Sequence, residues 1–185
     1  MSSPKIIGYF GSMYSGKTSF LLSYLDRCKW RNKNIKAFKP NIDQRYSNDC
    51  ICTHLGYKTS AINVSSGQSI LNYVSYDPYV EIIFIDEFFM IPGAAKASIE
   101  LFKSGKSIVI ASLDLDSNFN PFPEASAIMP YCTEIHKLFA ICSKCDKDAQ
   151  FTQAIADKDN NISVGGKEKY EPRCFEHYDV IKEKI

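Results

Sequence analysis

Short runs of apolar residues alternate along the chain with segments whose apolar residues recur at helical spacing. Runs of this kind are typical of parallel strands, because a parallel sheet is covered by helices on both faces. The alternation predicts an α/β fold with a parallel sheet. The predicted strands are 5–10, 35–38, 58–64, 80–85 and 107–113, and the predicted helices are 17–31, 68–76 and 94–103.

The first predicted helix shows the spacing clearly. Its apolar residues recur three and four positions apart and therefore lie on one side of a helix. We expect that side to face the sheet. The residues concerned are Phe20, Leu21, Tyr24, Leu25 and Cys28.

The segment between the first strand and the first helix matches the pattern G-x-x-x-x-G-K-[ST] in full. Its glycines let the backbone curl so that successive N–H groups point at phosphates, and the helix N-terminus adds partial positive charge. The lysine supplies a point charge to the outer phosphates, and the last hydroxyl can bind magnesium. The segment consists of Gly11, Ser12, Met13, Tyr14, Ser15, Gly16, Lys17 and Thr18. We predict that it binds a nucleoside triphosphate with magnesium.

Two adjacent acids, Asp86 and Glu87, follow the predicted strand 80–85. Because this strand is apolar enough to lie in mid-sheet, its carboxyl end should emerge beside the phosphate loop. Asp86 can hold the magnesium shell there, and Glu87 can act as a general base on the attacking group. Two acids at a strand end also fit a solvated turn, but the neighbouring phosphate loop favours the functional interpretation.

Cysteine and histidine residues near the end of the chain form a C-x-x-C…C-x-x-H set of Cys142, Cys145, Cys174 and His177. Three thiolates and one imidazole suit a tetrahedral structural zinc ion. The two pairs lie far apart in sequence, so the metal would tie the base of a long loop. The other cysteines are expected to pack as small apolar residues.

The 185 residues carry 22 Lys and Arg against 21 Asp and Glu, a net charge of +1. This balance argues against a protein that mainly binds nucleic acid. No apolar run approaches the length of a membrane span, and the N-terminus has no signal-peptide pattern. We expect neither a nucleic-acid nor a membrane partner. Seven cysteines, an odd number, favour a reducing, cytoplasmic compartment.

In combination these motifs resemble the type II thymidine kinases, from Ile6 to about His177. The segment K-P-N-I-D-Q-R-Y at 39–46 is similar to the K-P-x-x-D-x-R segment of that family, and C-T-H at 52–54 follows it. The dipeptides at 113–114 and 121–122 resemble the loop that helps to enclose the nucleoside. The sequence G-G-K-E-K-Y at 165–170 resembles the family's glycine-and-tyrosine lasso, and the phosphate loop and zinc ligands also align.

The resemblance implies a P-loop NTPase-like α/β domain at residues 1–140 and a zinc-binding lobe with the lasso at residues 141–185. It implies ATP- and magnesium-dependent phosphorylation of the 5′-hydroxyl of thymidine or deoxyuridine by a cytoplasmic homotetramer. Glu87 would be the general base. Asp43, Arg45 and Asp86 would act at the phosphates and the metal. The implied nucleoside-binding residues are Met13, Met90, Leu113, Phe119, Phe122, Asn161, Ile162, Ser163, Val164, Gly165 and Tyr170.

Two stretches depart from the family pattern. The family continues its Asp-Glu pair with a small residue, Gln and Phe, whereas Phe88, Phe89 and Met90 follow here. Met90 then takes the place of the aromatic residue against the base, unless Phe89 shifts into that role. In the nucleoside loop the usual aromatic position is Ser117, with Phe119 two residues later. Both departures surround the base pocket and leave the phosphate site unchanged.

Three alternatives stay open at this point. One is a kinase with an altered base preference. Another is a P-loop protein whose zinc lobe binds a partner and whose nucleotide hydrolysis drives a switch. The last is an inactive relative that binds nucleotides as a structural or regulatory subunit.

Overall fold

The computed structural model describes residues 3–43, 49–53, 56–155 and 165–182. The strands are β1 (Ile6–Gly11), β2 (Ile35–Pro40), β3 (Cys50–Cys52), β4 (Lys58–Ser60), β5 (Ile62–Val64), β6 (Ile82–Ile85), β7 (Ser107–Ser112), β8 (Glu134–Leu138), β9 (Ala140–Ile141), β10 (Asp148–Ala149), β11 (Phe151–Ala154) and β12 (Tyr170–Arg173). The α-helices are α1 (Lys17–Trp30), α2 (Gly67–Ser75), α3 (Ala94–Lys103), α4 (Pro123–Ile128) and α5 (Asp179–Lys182). Single 3-10 turns occur at Phe88–Met90, Met129–Tyr131 and Phe175–His177. None of the helices in the described ranges is both long and apolar enough to cross a bilayer.

The main sheet has six strands in the order β5-β2-β6-β7-β1-β8, and every pairing in it is parallel. Apart from one strand, the predicted strands and helices agree with the observed elements to within two residues. The predicted α/β class with a parallel sheet is confirmed.

Helices cover both faces of this sheet. Alternate residues of a strand point to opposite faces, so Ile7 packs with Leu21 and Leu25 of α1, whereas Ile6 and Phe10 pack on the side of α2, α3 and α4. Leu21 and Phe10 are fully buried. The two cores hold β1 rigidly, and the phosphate loop follows directly from its end.

The single predicted strand 58–64 is wrong. The structure divides it at Ala61 into β4, which pairs antiparallel with β3, and β5, which joins the main sheet beside β2. The backbone N–H of Ala61 donates to the carbonyl of Asp49 and extends the β3–β4 pairing to the point where β5 begins. The polar residues of β4 are too hydrophilic for the core, and Val64 at the end of β5 is buried.

The predicted buried face of α1 is wrong at one position. Phe20 is 51% exposed, whereas Leu22, two residues further along the helix, is 5% exposed. The ring of Phe20 stacks on Tyr9 at 5.7 Å between centroids and so lies at the edge of the helix–sheet contact.

Several elements of the described residues had no sequence prediction, among them β3, β8, α4 and the short strands of the C-terminal lobe. The edge strand β8 has only two apolar residues among five, and one of them, Ile135, is 52% exposed, so β8 lacks the apolar run of a central strand. The short helix α4 begins with Pro123 at its first turn, a position where proline is favoured, but six residues give little periodicity.

A small lobe follows β8. It consists of the antiparallel ladders β9–β10 and β11–β12 and a buried cluster of Ala140, Cys142, Ala149 and Cys174. The predicted boundary between residues 140 and 141 falls within β9, and the division into two domains stays a prediction.

Candidate active site and metal centre

The phosphate loop begins at the carboxyl end of β1, where Gly11 pairs with Leu138 of the neighbouring strand β8. Gly11 has φ +153°, and a Cβ atom on it would lie 2.1 Å from the carbonyl oxygen of Leu138. Gly16 has φ +81° immediately before α1. Both positions therefore require glycine: the first because of the close backbone approach, and the second because of its left-handed backbone. The chain turns between them into the N-terminus of a fourteen-residue helix.

Internal hydrogen bonds close the loop on itself. The carbonyl of Ser12 accepts from the Ser15 hydroxyl at 2.8 Å and from the Lys17 ammonium at 2.7 Å. Lys17 is 9% exposed, so a cation is held within the turn at the positive end of α1. A loop with these features is an anion site.

Thr18 and Asp86 join the loop to the end of β6. The Thr18 hydroxyl donates to Asp86 Oδ1 at 3.0 Å, with Oδ2 at 3.3 Å. Burial and, to a smaller extent, the neighbouring charge of Glu87 together raise the pKa of Asp86 to about 7, although the Thr18 hydrogen bond opposes both effects. A buried carboxyl with this pKa gains stability from a cation placed beside it.

Glu87 lies one residue further along and is partly exposed. Its backbone is left-handed, with φ +48° and ψ +43°, at the start of the 3-10 turn Phe88–Met90. A non-glycine residue in this region is uncommon and strained, and such residues cluster at functional sites. Glu87 directly follows Asp86, which Thr18 joins to the phosphate loop, so the turn lies at the carboxyl edge of the sheet.

Asp43 follows β2 at the same edge, because β2 is the neighbour of β6. It is 6% exposed, and its N–H donates to the carbonyl of Pro40 at 3.1 Å. Lys39 at the end of β2 is 4% exposed and donates to the carbonyl of Cys50 at 3.3 Å. Arg45 lies outside the described residues.

The residues after Glu87 divide between core and site. Phe88 is fully buried in the core on the side of α2 and α3, and Phe89 is 7% exposed. The rings of Phe89 and Phe122 lie 4.4 Å apart between centroids. Met90 is partly exposed, and Leu113 is 9% exposed at the end of β7. The structure thus places an aromatic pair beside the acid pair.

Phe119 lies three residues before Phe122, in the loop between β7 and α4. Its ring is 5.6 Å from Phe151 and 6.3 Å from Tyr178, both of which belong to the C-terminal lobe. The Tyr178 hydroxyl donates to the carbonyl of Ser117 at 2.9 Å. Burial raises the pKa of Tyr178 to about 12, so this hydroxyl keeps its proton at neutral pH.

The lasso segment is described from Gly165 onward, and residues 161–164 lie outside the described residues. Gly165 is buried, and Tyr170 is partly buried at the start of β12, opposite Ala154. The ammonium of Lys167 lies 5.9 Å from the centre of the Tyr14 ring. The segment therefore meets the phosphate loop.

The four predicted zinc ligands come together. Their ligand atoms all lie within 4.8 Å of one another, with distances of 3.7 Å from Cys145 Sγ to Cys174 Sγ and 3.2, 3.5 and 3.8 Å from His177 Nδ1 to the sulfurs of Cys174, Cys145 and Cys142. A tetrahedral ion with bonds of about 2.3 Å to sulfur and about 2.0–2.1 Å to nitrogen needs S···S edges of about 3.8 Å and S···N edges of about 3.5 Å. The cluster fits zinc in size and in ligand chemistry.

Backbone groups also prepare this cluster for a metal. Burial alone would raise the pKa of Cys142, yet hydrogen bonds from the backbones of Cys174, Lys144 and Cys145 lower it to about 6. A thiolate is the form that binds metals.

The lobe holds the phosphate loop through contacts that no sequence motif indicated. The Ser12 hydroxyl donates to the carbonyl of Ala149 at 2.9 Å, and the Met13 N–H donates to Thr152 Oγ1 at 3.0 Å. Tyr14 packs against the cluster that contains Cys142 and Cys174. The metal centre and the phosphate loop therefore share one packing unit.

An ion pair at the end of β7 was also missed. The Lys137 ammonium, on β8, contacts the carboxylate of Asp114, which is 7% exposed. The pair spans the end of β1 and anchors the start of the loop that ends at Phe122. Asp114 belongs to the dipeptide at 113–114, but Lys137 lies in no motif, so only the sheet order could have paired them.

Comparison with known proteins agrees with this geometry. The family model described as thymidine kinase matches residues 4–178. A thymidine kinase of Pseudothermotoga lettingae is 35% identical over 176 residues, which cover 94% of each chain. A thymidine kinase of Bacteroides thetaiotaomicron is 33% identical over 91% of this chain and 83% of its own.

Solved structures extend the likeness to the fold. The genome packaging NTPase B204 of Sulfolobus turreted icosahedral virus 2, in complex with sulfate, superposes with a TM-score of 0.50 at 15% identity over 78% of each chain. Its complex with ATP-gammaS gives the same TM-score at 13% identity. At these identities the similarity concerns the fold alone, and it confirms the predicted NTPase-like architecture.

Proposed function

Because the chain belongs to the thymidine kinase family, we propose that it transfers the terminal phosphoryl group of ATP to the 5′-hydroxyl of thymidine, and of deoxyuridine, with magnesium. Family membership establishes thymidine phosphorylation as the reaction. The proposal adds the donor, the metal, the general base and the second acceptor.

The hydrogen bond between Thr18 and Asp86 carries the proposal. It joins the phosphate loop to the end of β6, where Glu87 is the next residue. The phosphate loop, a pair of oxygen ligands suited to a cation and the carboxylate of Glu87 therefore lie close together at the carboxyl end of β6. Phosphoryl transfer depends on this kind of positioning.

Thr18 and Asp86 fit a magnesium ion. Both offer oxygen, which hard cations prefer, and their oxygens are 3.0 Å apart. Adjacent ligands of an octahedral ion with bonds of about 2.0–2.1 Å lie about 3 Å apart. Magnesium would supply neutralisation of phosphate charge there. The raised pKa of Asp86 supports this assignment, since a cation favours the ionised carboxylate.

Glu87 is proposed as the base that takes the proton of the 5′-hydroxyl. Its carboxylate is partly exposed, so the acceptor can approach it, and its backbone strain is consistent with a fixed orientation. Lys17 is proposed to bind the charge that spreads over the transferred phosphoryl group. Arg45 and Asp43 are proposed to support the phosphates and the magnesium waters, as the family resemblance implies.

The aromatic pair Phe89 and Phe122 is proposed to flank the nucleoside, with Met90 and Leu113 completing the wall and the lasso residues 161–165 and Tyr170 covering the base. Phe89 supports this proposal more strongly than Met90 does, because its ring already lies against Phe122 beside Glu87. An altered base preference is the second candidate function, since this wall is where the chain departs from the family pattern.

The Cys/His cluster is proposed to hold a structural zinc ion. Its distances fit a closed tetrahedral shell with no open position for a substrate. A homotetramer in the cytoplasm is proposed from the family alone.

The decisive test compares Glu87→Gln with Glu81→Gln. Both changes remove one carboxylate and keep the shape, but Glu81 is exposed just before the amino end of β6. Thymidine monophosphate formation is measured with ATP and magnesium. We expect Glu87→Gln to lower kcat by about 10²- to 10⁴-fold with little change in ATP binding, and Glu81→Gln to retain the activity.

Other outcomes favour other functions. Full activity of Glu87→Gln would contradict the assignment of the base. ATP hydrolysis without a phosphorylated nucleoside would favour a nucleotide-driven switch, and nucleotide binding without either product would indicate an inactive relative. Parallel assays with deoxyuridine and deoxycytidine test the base preference.

A further inference from the structure

The loop 114–122, which we name the β7–α4 loop, is closed at its base. The N–H of Phe122 donates to the carbonyl of Asp114 at 2.9 Å, and Leu115 and Pro121 form an antiparallel bridge. Phe122, at this base, places its ring against Phe89, which is two residues after Glu87 in the chain. The position of the base therefore sets one wall of the proposed nucleoside pocket.

The tip of the loop is fixed by its own hydrogen bonds. Asp116 Oδ1 accepts from the backbone N–H groups of Asn118 and Asn120, at 2.8 Å each. Asp116 N donates in turn to the carbonyl of Asn120 at 2.8 Å. Because both the tip and the base are closed, a force on the tip displaces the loop as a unit.

The tip docks on the C-terminal lobe through Tyr178. This side chain is fully buried, its hydroxyl donates to the carbonyl of Ser117 at 2.9 Å, and its ring lies 6.3 Å from Phe119. Phe119 has φ +70°, a strained backbone that places its ring against the lobe. Because Tyr178 is buried, its hydroxyl depends on the Ser117 carbonyl as its hydrogen-bond acceptor.

The lobe in turn fixes Tyr178. Its ring stacks on Phe151 of β11 at 4.8 Å between centroids and 12° between planes. The next residue, Asp179, donates its N–H to Gln153 Oε1 at 3.0 Å. These contacts fix the position of the Tyr178 ring in the lobe. The hydroxyl on this ring is therefore a fixed point to which the loop is bonded.

We propose that Tyr178 is a positioning residue for the nucleoside: its hydroxyl holds the β7–α4 loop on the lobe so that Phe122 stands against Phe89 beside Glu87. This inference rests on the proposed function. The hydroxyl acts through the loop and does not touch the substrate. Its removal should therefore weaken thymidine binding and leave the phosphate loop unchanged.

The test is Tyr178→Phe, which keeps the stacked ring and deletes the hydrogen bond. The matched control is Tyr131→Phe, because Tyr131 is 50% exposed in the 3-10 turn after α4 and loses an equivalent hydroxyl. We measure KM for thymidine, KM for ATP, the thymidine Kd by calorimetry and the zinc content. A net hydrogen bond of ordinary strength predicts a rise of roughly 3- to 10-fold in both thymidine constants. KM for ATP, zinc content and the control should not change.

A double-mutant cycle with Phe119→Leu tests the route of the effect. Phe119 is 44% exposed, so its replacement leaves the core intact. If both side chains act by holding the same loop, the double variant should bind thymidine better than the product of the two single effects predicts. Independent, multiplicative effects would contradict the proposed route.

The outcomes separate the two levels of inference. A wild-type protein without thymidine phosphorylation defeats the proposed function itself. An active wild type with unchanged thymidine constants in Tyr178→Phe overturns the positioning role alone. A variant that loses zinc, or raises both KM values equally, would show a general structural role and would also overturn it.

Discussion

Replacement of Asp86 by Asn should stabilise the protein when nucleotide and magnesium are absent. Asp86 is 7% exposed, and its principal neighbours are the Thr18 hydroxyl, which donates to it, and the acidic Glu87. An amide oxygen can keep the Thr18 hydrogen bond. The substitution therefore removes the buried charge with little change in packing.

The sign and size of the effect follow from the pKa of Asp86. In the unfolded chain an Asp titrates near about 3.9, whereas burial raises the pKa of Asp86 to about 7 in the folded protein. Between these values the folded state holds one more proton than the unfolded state, so its stability falls as the pH rises. The contribution is fully present below about pH 4 and lost by pH 7. Roughly two pH units of that window lie above pH 5, which corresponds to about 2–3 kcal/mol.

The assay is urea unfolding of the wild type and Asp86→Asn at pH 5, 6, 7 and 8, with chelated magnesium and no nucleotide. We expect the variant's advantage in the free energy of unfolding to grow by about 2–3 kcal/mol from pH 5 to pH 8. Titration of the metal cluster affects both proteins alike and cancels in the difference. Asp26→Asn, an exposed change on α1, controls for the loss of a carboxylate.

Parallel stability curves for wild type and variant would refute the reasoning, because they would show that Asp86 is already ionised at low pH in the folded protein. A variant advantage that shrinks with rising pH would reverse the sign of the pKa shift. Either result would also remove the raised pKa as support for a cation beside Thr18.

Two further predictions concern the loop and the lobe. Gly11→Ala should abolish activity and destabilise the fold by more than Gly105→Ala. Both glycines have positive φ, but a Cβ on Gly11 would lie 2.1 Å from the carbonyl oxygen of Leu138, whereas a Cβ on Gly105 would meet open space. Equal losses of stability in thermal unfolding would show that the close approach is unimportant. Cys145→Ser should lower zinc from about one per chain and reduce the melting temperature, because closed Cys/His shells stabilise the fold they tie together. Cys132→Ser, outside the cluster, should keep its zinc by elemental analysis, and a metal-free but equally stable wild type would contradict the site.

The sequence identified the parts of the site that are continuous along the chain. The phosphate loop, the Asp86–Glu87 pair and the four-ligand set each have a fixed spacing, and each spacing has a local cause: a turn, a strand end or a knuckle. The proximity of the phosphate loop to the Asp86–Glu87 pair follows from one further rule, that the carboxyl ends of all parallel strands in a sheet share an edge. The pair Thr18–Asp86 was predictable for this reason.

The side-chain directions in the stretch that departs from the family pattern could be determined only from the structure. The run Phe88–Met90 forms a single 3-10 turn, so its three side chains point in three directions. Phe88 enters the core, Phe89 meets Phe122, and Met90 stays partly exposed. A strand or helix assumed for this run would give these side chains other directions, because the sequence does not specify the phase of so short a turn.

No sequence pattern predicted the contacts between the C-terminal lobe and the main sheet. These contacts give the lobe that contains the Cys/His cluster a structural role at the phosphate loop. Thr152 on β11 accepts from the phosphate loop at Met13, and the adjacent Phe151 stacks on Tyr178, which holds the β7–α4 loop. Successive residues of a strand face opposite sides. Two adjacent residues of β11 therefore join the loop proposed to hold the donor to the loop proposed to hold the acceptor. Transfer between two substrates requires their reacting atoms to be aligned, and a lobe stiffened by the proposed zinc ion would give both loops a common reference.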